Sequence, residues 1–234
     1  MRFDINLAQL ASGEHLSGIG HGNFHGPGIE GNLGATEATL AGNGRRLLIL
    51  AGHTYLAGTA SNLNPEQLLA HYLASGPGFL AGLRGQFAIA VIDADQRQVL
   101  LANDRMGIHG WCYRTHGQTI VFSDRADSIG EAGDISRQAV LSYLFQHVIP
   151  SPETIYHNVS RLPQAHRLIF SPTGSELAAH WTPVFSEPRE ANFSSLKEEF
   201  RSLIESGVSR ELAQNPAHGV ASFLSGGTDS STVT

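Results

Sequence analysis

Gln86-Phe87-Ala88-Ile89-Ala90-Val91-Ile92-Asp93 runs through the turn Asp93-Ala94-Asp95-Gln96 into Gln98-Val99-Leu100-Leu101-Ala102. Two short apolar runs joined by an Asp-rich turn predict a β-hairpin. Upstream, Phe79-Leu80-Ala81-Gly82-Leu83-Arg84-Gly85 reads as a short helix closed by glycine. Pro65 to Ala74 reads as a longer helix, with Pro65 in its first turn and Asn64 as its cap. Leu47-Leu48-Ile49-Leu50-Ala51 reads as a buried strand ending at Gly52. Downstream, strands are predicted at Thr119–Phe122, Arg167–Phe170 and Glu176–Trp181, the last two flanking the turn Ser171-Pro172-Thr173-Gly174. Ser136 to His147 predicts a helix with Val140, Leu141, Leu144 and Phe145 on one face.

The composition bounds what such a chain can be. Its 234 residues are 41% hydrophobic and 15% charged, which suits one large globular domain, or one domain and part of another. A net charge of −6 gives no electrostatic attraction to nucleic acid or to an anionic membrane. No apolar run approaches the roughly 18 residues that a membrane span needs. Asp4 and the lack of an apolar segment after it exclude a secretory signal, so the cytoplasm is the expected setting. The single cysteine, Cys112, cannot form an intramolecular disulfide and reads as a small core residue.

Residues 1–46 are rich in glycine and show little periodicity. Gly26-Pro27-Gly28-Ile29-Glu30-Gly31 spells G-x-G-x-x-G, but no strand precedes it and no helix follows, so it reads as a plain glycine loop. His21 and His25 have a metal-ligand spacing only if helical. Gly20, Gly22 and Gly26 argue for loop histidines and no metal.

Residues 183–192, with Pro183, Pro188 and mixed charges, read as a linker, and a second domain begins near residue 193. Ser195-x-x-Glu198 is a capping box for a helix whose stripe is Leu196, Phe200, Leu203, Ile204, Val208 and Leu212, expected to pack on the strand that follows. That strand is Val220 to Leu224, and Ser225-Gly226-Gly227-Thr228-Asp229-Ser230-Ser231 follows it. Glycines without Cβ, hydroxyls and helix-start N–H groups make this the chemistry of a pyrophosphate cradle. S-G-G-x-D-S after a strand resembles the loop of the ATP pyrophosphatases, and differs from G-x-x-x-x-G-K-[ST] in lacking the lysine.

The order of hairpin-rich domain, linker, helix, strand and S-G-G-x-D-S-S resembles the asparagine synthetase family. Gly76-Pro77-x-Phe79-Leu80-x-x-Leu83-x-Gly85-x-Phe87-Ala88-x-Ala90-x-x-Asp93 is similar to a stretch of that family, as are Asn103-Asp104-Arg105-Met106-Gly107-Ile108 and Ser160-Arg161-Leu162-Pro163-x-Ala165-His166. Gly110 and Trp111 stand where Pro-Leu is usual. The resemblance implies an α+β domain over residues 1–182, built like the N-terminal-nucleophile hydrolases as four α-β-β-α layers with antiparallel sheets. It implies that residues 193–234 are the first β-α unit of an α/β ATP domain cut short. In the family a cysteine after Met1 attacks the amide of glutamine. Here Arg2 holds that position, Ala51 replaces the asparagine of the N-G-E loop, Asn64 replaces the ammonium-binding aspartate, and no H-R-G-P-D segment occurs near residue 30. These losses imply a domain that binds and hydrolyses no glutamine.

The same resemblance gives the second segment a role with ATP and Mg²⁺. Ser225, Gly226, Gly227, Thr228 and Ser230 would bind phosphate, Leu224 would face the nucleotide through its backbone, and Asp229 would fix the loop or orient Mg²⁺-pyrophosphate. The implied function is an ATP-dependent ligase that adenylates a small-molecule or peptide carboxylate and then forms an amide, as β-lactam synthetases and lasso-peptide cyclases do. Asparagine synthesis from free ammonia and a non-catalytic scaffold are the alternatives. The expected partner is the rest of the synthetase domain or another chain, and the 234 residues alone are expected to be inactive.

Overall fold

The computed structural model describes residues 1–10, 23–26, 28–32, 38–59, 61–186, 192–214 and 221–234. The chain divides into two units, Met1–Thr182 and Pro183–Thr234. The first holds strands β1 (Arg2–Asn6), β2 (Asn23–Gly26), β3 (Ile29–Asn32), β4 (Ala38–Gly42), β5 (Arg46–Leu56) and β6 (Leu83–Asp93). It continues with β7 (Gln98–Asn103), β8 (Cys112–His116), β9 (Thr119–Ser123), β10 (Ser160–Arg161), β11 (His166–Ser171) and β12 (Gly174–Ala179). They form two six-stranded antiparallel sheets, one ordered β10-β8-β9-β1-β3-β2 and the other β12-β11-β7-β6-β5-β4. The α+β class with antiparallel sheets that the resemblance implied is the class observed.

The hairpin is β6 and β7, in register from Ala88↔Asn103 to Asp93↔Gln98. Its turn closes where the Asp93 carboxylate accepts the N–H groups of Asp95 and Gln96, each at 3.0 Å. Both strands are apolar at successive positions because the second sheet is covered on both faces. Ala90, Ile92 and Leu101 pack toward the first sheet with Phe3, Ile5 and Phe122. Ile89, Val91 and Leu100 pack instead with Leu68, Leu69 and Tyr72 of helix α1 (Pro65–Ser75). On the far side of the first sheet, Ile129, Tyr156 and Val159 of the 126–159 segment lie on Cys112 and Val121. Trp111 fills the space between the sheets, edge-on to Phe122 at 5.2 Å, and its indole N–H donates to the Ile89 carbonyl at 2.9 Å.

The segment that carries Trp111 across is held by one buried carboxylate. Asp104 accepts backbone N–H groups from Phe87, Met106, Gly107, Ile108 and His109 at 2.7–3.2 Å. Beside it, the Asn103 side chain donates to the Leu162 carbonyl at 2.7 Å and accepts the Trp111 N–H at 3.1 Å.

Several local expectations change. The strand expected to stop at Gly52 continues to Leu56, and the helix expected over 79–85 is a 3₁₀ segment, Gly76–Gly82, after which Leu83 opens β6. Gly52 and Gly85 have φ of 83° and 114°, and they let β5 and β6 approach closely. A Cβ on Gly52 would stand 2.2 Å from the Gln86 carbonyl oxygen, and one on Gly85 2.5 Å from that of His53. Gly85 is therefore a close-approach residue and not a helix cap. The G-x-G-x-x-G stretch forms part of the β2–β3 hairpin, where Gly28 has φ 72°. His25 lies in β2, not in a loop, and His21 falls outside the described residues.

Helix α2 (Arg137–Gln146) forms with Ser136 as its cap, but only Ala139 is buried; Leu144 and Phe145 are 69% and 86% exposed. In the second unit, helix α3 (Phe193–Gln214) starts one turn early, because Asn192 rather than Ser195 caps it and accepts the Ser195 N–H at 2.8 Å. Its stripe is largely exposed at Phe200 and Leu203. Residues 221–224 are not a strand, and Phe223 is exposed. A strand needs a hydrogen-bonded neighbour, and the second unit contains no strand among its described residues.

Two predictions follow from this packing. Gly85→Ala is expected to cost about 2 kcal/mol or more, because its Cβ meets backbone at a positive φ; urea unfolding reads the loss. Tyr72 is buried, which pushes its phenol up to about 12 from 10.0, with the Asp93 carboxylate acting in the same direction and the Gln98 hydrogen bond against it. Between those values the native state holds the proton more tightly than the unfolded chain, so stability falls as pH rises through about 10 to 12, by up to about 3 kcal/mol. Tyr72→Phe removes that fall. An unchanged slope in unfolding curves would assign it elsewhere.

Candidate functional site

The start of β1 sits against the end of β9. The Met1 ammonium lies 2.7 Å from the Asp124 carboxylate, and the Ser123 hydroxyl donates to the Met1 carbonyl. Arg2 reaches Asp4 with Nε at 3.0 Å and Nη2 at 3.4 Å, and its Nη1 donates to the Ser128 carbonyl at 3.2 Å. Its planar fork is thus fixed between a carboxylate and a carbonyl, and it has no nucleophilic atom.

Ala51 and Asn64, also singled out in the sequence, have structural roles of their own. Ala51 is buried between the sheets. Gly52 beside it has the His109 ring 2.7 Å from where a Cβ would stand. His53 Nε2 is buried without a hydrogen-bond partner among the described residues. Asn64 accepts the Gln67 N–H at 2.8 Å, and Gln67 returns a carboxamide oxygen to the Asn64 N–H at 2.9 Å, so both are occupied in capping α1.

Cys112 borders a cavity of about 490 Å³ with Asp124, Arg125, Tyr156 and Arg161. Burial pushes its thiol above the usual range, and Arg161 opposes that only in part. A raised thiol holds less thiolate, the nucleophilic form. Asp124 and Ser123 were not legible as site residues; the only signal was a Ser-Asp pair directly after the strand at 119–122.

In the second unit, Gly226 takes φ 79° and Gly227 caps the short helix α4 (Thr228–Val233). Ser225 and Ser230 are brought together, Oγ to Oγ at 3.0 Å, and the Ser230 hydroxyl reaches the Gly227 carbonyl at 3.2 Å. The N–H groups of Ser225 and Gly227 are directed at these hydroxyls, at 3.3 and 3.4 Å. Leu224, Thr228 and Asp229 are exposed and lie outside this cluster. A Cβ on Gly226 would meet nothing within 4 Å, so the loop is open on that side. No cluster of three metal-ligating side chains occurs among the described residues. Asp229 alone suits a magnesium ion that arrives on phosphate oxygens.

Residues 45–181 match the family model of the glutamine amidotransferase domain. The chain belongs to that family. Its amidotransferase domain is of the asparagine synthetase kind, as the motifs at Gly76–Asp93 and Asn103–Ile108 implied. It is 30% identical to glutamine-hydrolyzing asparagine synthetase 3 of Bacillus subtilis over 95% of this chain and 38% of that protein. It is 26% identical to asparagine synthetase 1 of the same organism over 71% of this chain and 26% of that protein. The chain thus spans well under half the length of these relatives. Among solved structures, the glutamine phosphoribosylpyrophosphate amidotransferase of B. subtilis is similar, with 13% identity, a TM-score of 0.36, and 62% of this chain and 32% of that chain covered. Among the described residues no helix is long and apolar enough to cross a membrane.

The amidotransferase domain's one thiol should be inert. Iodoacetamide is expected to alkylate Cys112 at least about tenfold more slowly in the native protein than in denaturant at pH 8, as read by mass spectrometry. Equal rates would show an accessible, ionised thiol at the cavity.

Proposed function

We propose that this chain is the amino-terminal part of an ATP-dependent amide-forming ligase whose amidotransferase domain no longer hydrolyses glutamine. The observation that carries the reading is Arg2: its guanidinium, bound to Asp4 and Ser128, stands at the position where the resemblance places a thiol. Ala51 and Asn64, occupied in core packing and helix capping, support the same reading. The relatives' greater length supports a synthetase portion beyond this chain, supplied by the same polypeptide or by a partner.

The reaction has two steps. A carboxylate oxygen of a small molecule or peptide attacks the α-phosphorus of ATP, the bond to the β-phosphate oxygen breaks, and pyrophosphate leaves. An amine then attacks the acyl carbon, loses a proton, and AMP departs with the former carboxylate oxygen. Ser225, Gly226, Gly227, Thr228 and Ser230 would hold the phosphates through N–H groups and hydroxyls, with the Leu224 backbone toward the nucleotide. Magnesium, held in part by Asp229, would supply charge neutralisation on the departing pyrophosphate. Without glutamine-derived ammonia, the amine belongs to the substrate itself, as in macrolactam or β-lactam formation, in a cytoplasmic setting. Asparagine synthesis from free ammonia is the second reading: the relatives are asparagine synthetases, glutamine-hydrolyzing ones, and Arg2 stands where such hydrolysis would need a thiol.

ATP–pyrophosphate exchange in the full-length protein tests this. Exchange is expected to depend on an added carboxylate, to fall at least about tenfold in Ser225→Ala and Gly226→Val, and to occur with no glutamate released from glutamine. Glutamate release would overturn the inert amidotransferase. Exchange with aspartate and product only with ammonia would select the second reading, and no exchange with any carboxylate would leave a scaffold.

A further inference from the structure

One end of the second sheet gathers cations that have no acidic partners among the described residues. β5 leaves the sheet there and β6 enters, so that Tyr55 and Arg84 are cross-strand neighbours. β7 leaves through Asn103 and Asp104 to Arg105, and β12 leaves through His180 to Trp181. The Arg105 guanidinium lies 4.6 Å over the Trp181 ring. Among the described residues Arg84 donates to the carbonyls of its own turn alone, Ala81 at 3.4 Å and Leu83 at 3.0 Å. Arg105 Nε is buried with no hydrogen-bond partner among the described residues.

Neither arginine has a carboxylate partner among the described residues. The acid adjacent in sequence, Asp104, is fully engaged by five backbone N–H groups. Burial and the charge of Arg84 both hold Arg105 below the usual arginine range. Nearby His180, held below its usual range chiefly by burial, bonds to the Asn103 carbonyl at 2.8 Å. At the opposite end of the same sheet, Arg45 and Arg46 are each paired, with Asp95 and Asp93 at 2.6 and 2.9 Å. Like charges brought together without counter-charge are unfavourable in a half-buried setting.

We propose that Arg84 and Arg105 form a binding site for an oxyanion, a phosphate or carboxylate group of a small ligand. The guanidinium fork accepts such a group in two hydrogen bonds, and Trp181 fixes the plane of the Arg105 fork. The site belongs to the first unit and does not depend on the ligase reading.

Trp181 also supplies the readout, because the other tryptophan, Trp111, is fully buried between the sheets. Fluorescence is followed while inorganic phosphate, or succinate, replaces chloride at constant ionic strength. A saturable change is expected that Trp181→Phe abolishes. Its midpoint should rise roughly tenfold or more in Arg84→Gln and in Arg105→Gln and stay unchanged in the paired-end control Arg45→Gln. A response to phosphate alone, to succinate alone or to both supports the site and names its chemistry. The absence of a saturable response, or one retained by both arginine variants, overturns it. Should Arg105→Gln not fold, Arg84→Gln decides, since that side chain bonds only its own turn.

Discussion

Asp104 is the constraint on which the amidotransferase domain depends. Its carboxylate gathers five backbone N–H groups from two separate stretches, β6 at Phe87 and the loop 106–109. The loop it shapes is the passage from the second sheet to the first, and it delivers Trp111 into the core between them. A carboxylate accepting this many N–H groups tolerates burial because every lone pair is met. Asn103 extends the same logic: one side chain joins the Trp111 backbone to the Leu162 backbone, and so ties the approach to β11 to the same crossing.

Much of the second sheet was legible in the sequence because its strands are buried on both faces. Leu47–Leu50, Ile89–Ile92 and Val99–Ala102 read as unbroken apolar runs, which few other environments permit. The first sheet was harder. β1 carries its signal in only Phe3 and Ile5, and β8 in residues as mixed as Tyr113, Arg114 and Thr115. Strand ends were missed where glycine was read by its commonest role. Gly52 and Gly85 look like terminators, but both sit inside a ladder whose backbones approach too closely for a side chain.

The site was legible by position more than by environment. The substitutions Arg2, Ala51 and Asn64 could be seen in sequence, yet what occupies each residue could not: an ion pair, a core contact, a helix cap. That Arg84 and Arg105 lack carboxylate partners among the described residues left no trace, since the rest of β6 and all of β7 lie between them and only the register of β5, β6 and β7 brings them to one end. The helical stripes of α2 and α3 show the converse limit. Their periodicity is real, but periodicity records which face is apolar, not what covers it.

The strand order also imposes a sequence of events on folding. β4 with β5, and β6 with β7, can pair as hairpins while the chain is still being made, with little loop entropy to overcome. β1 is synthesised before all of them, yet its ladder runs from Arg2↔Ser123 to Asn6↔Thr119 on one side and to β3 on the other. β1 can meet β3 early, but its second ladder cannot form until β9 has been made. The space around Trp111, which Phe122 of β9 lines, cannot close before that long-range pairing.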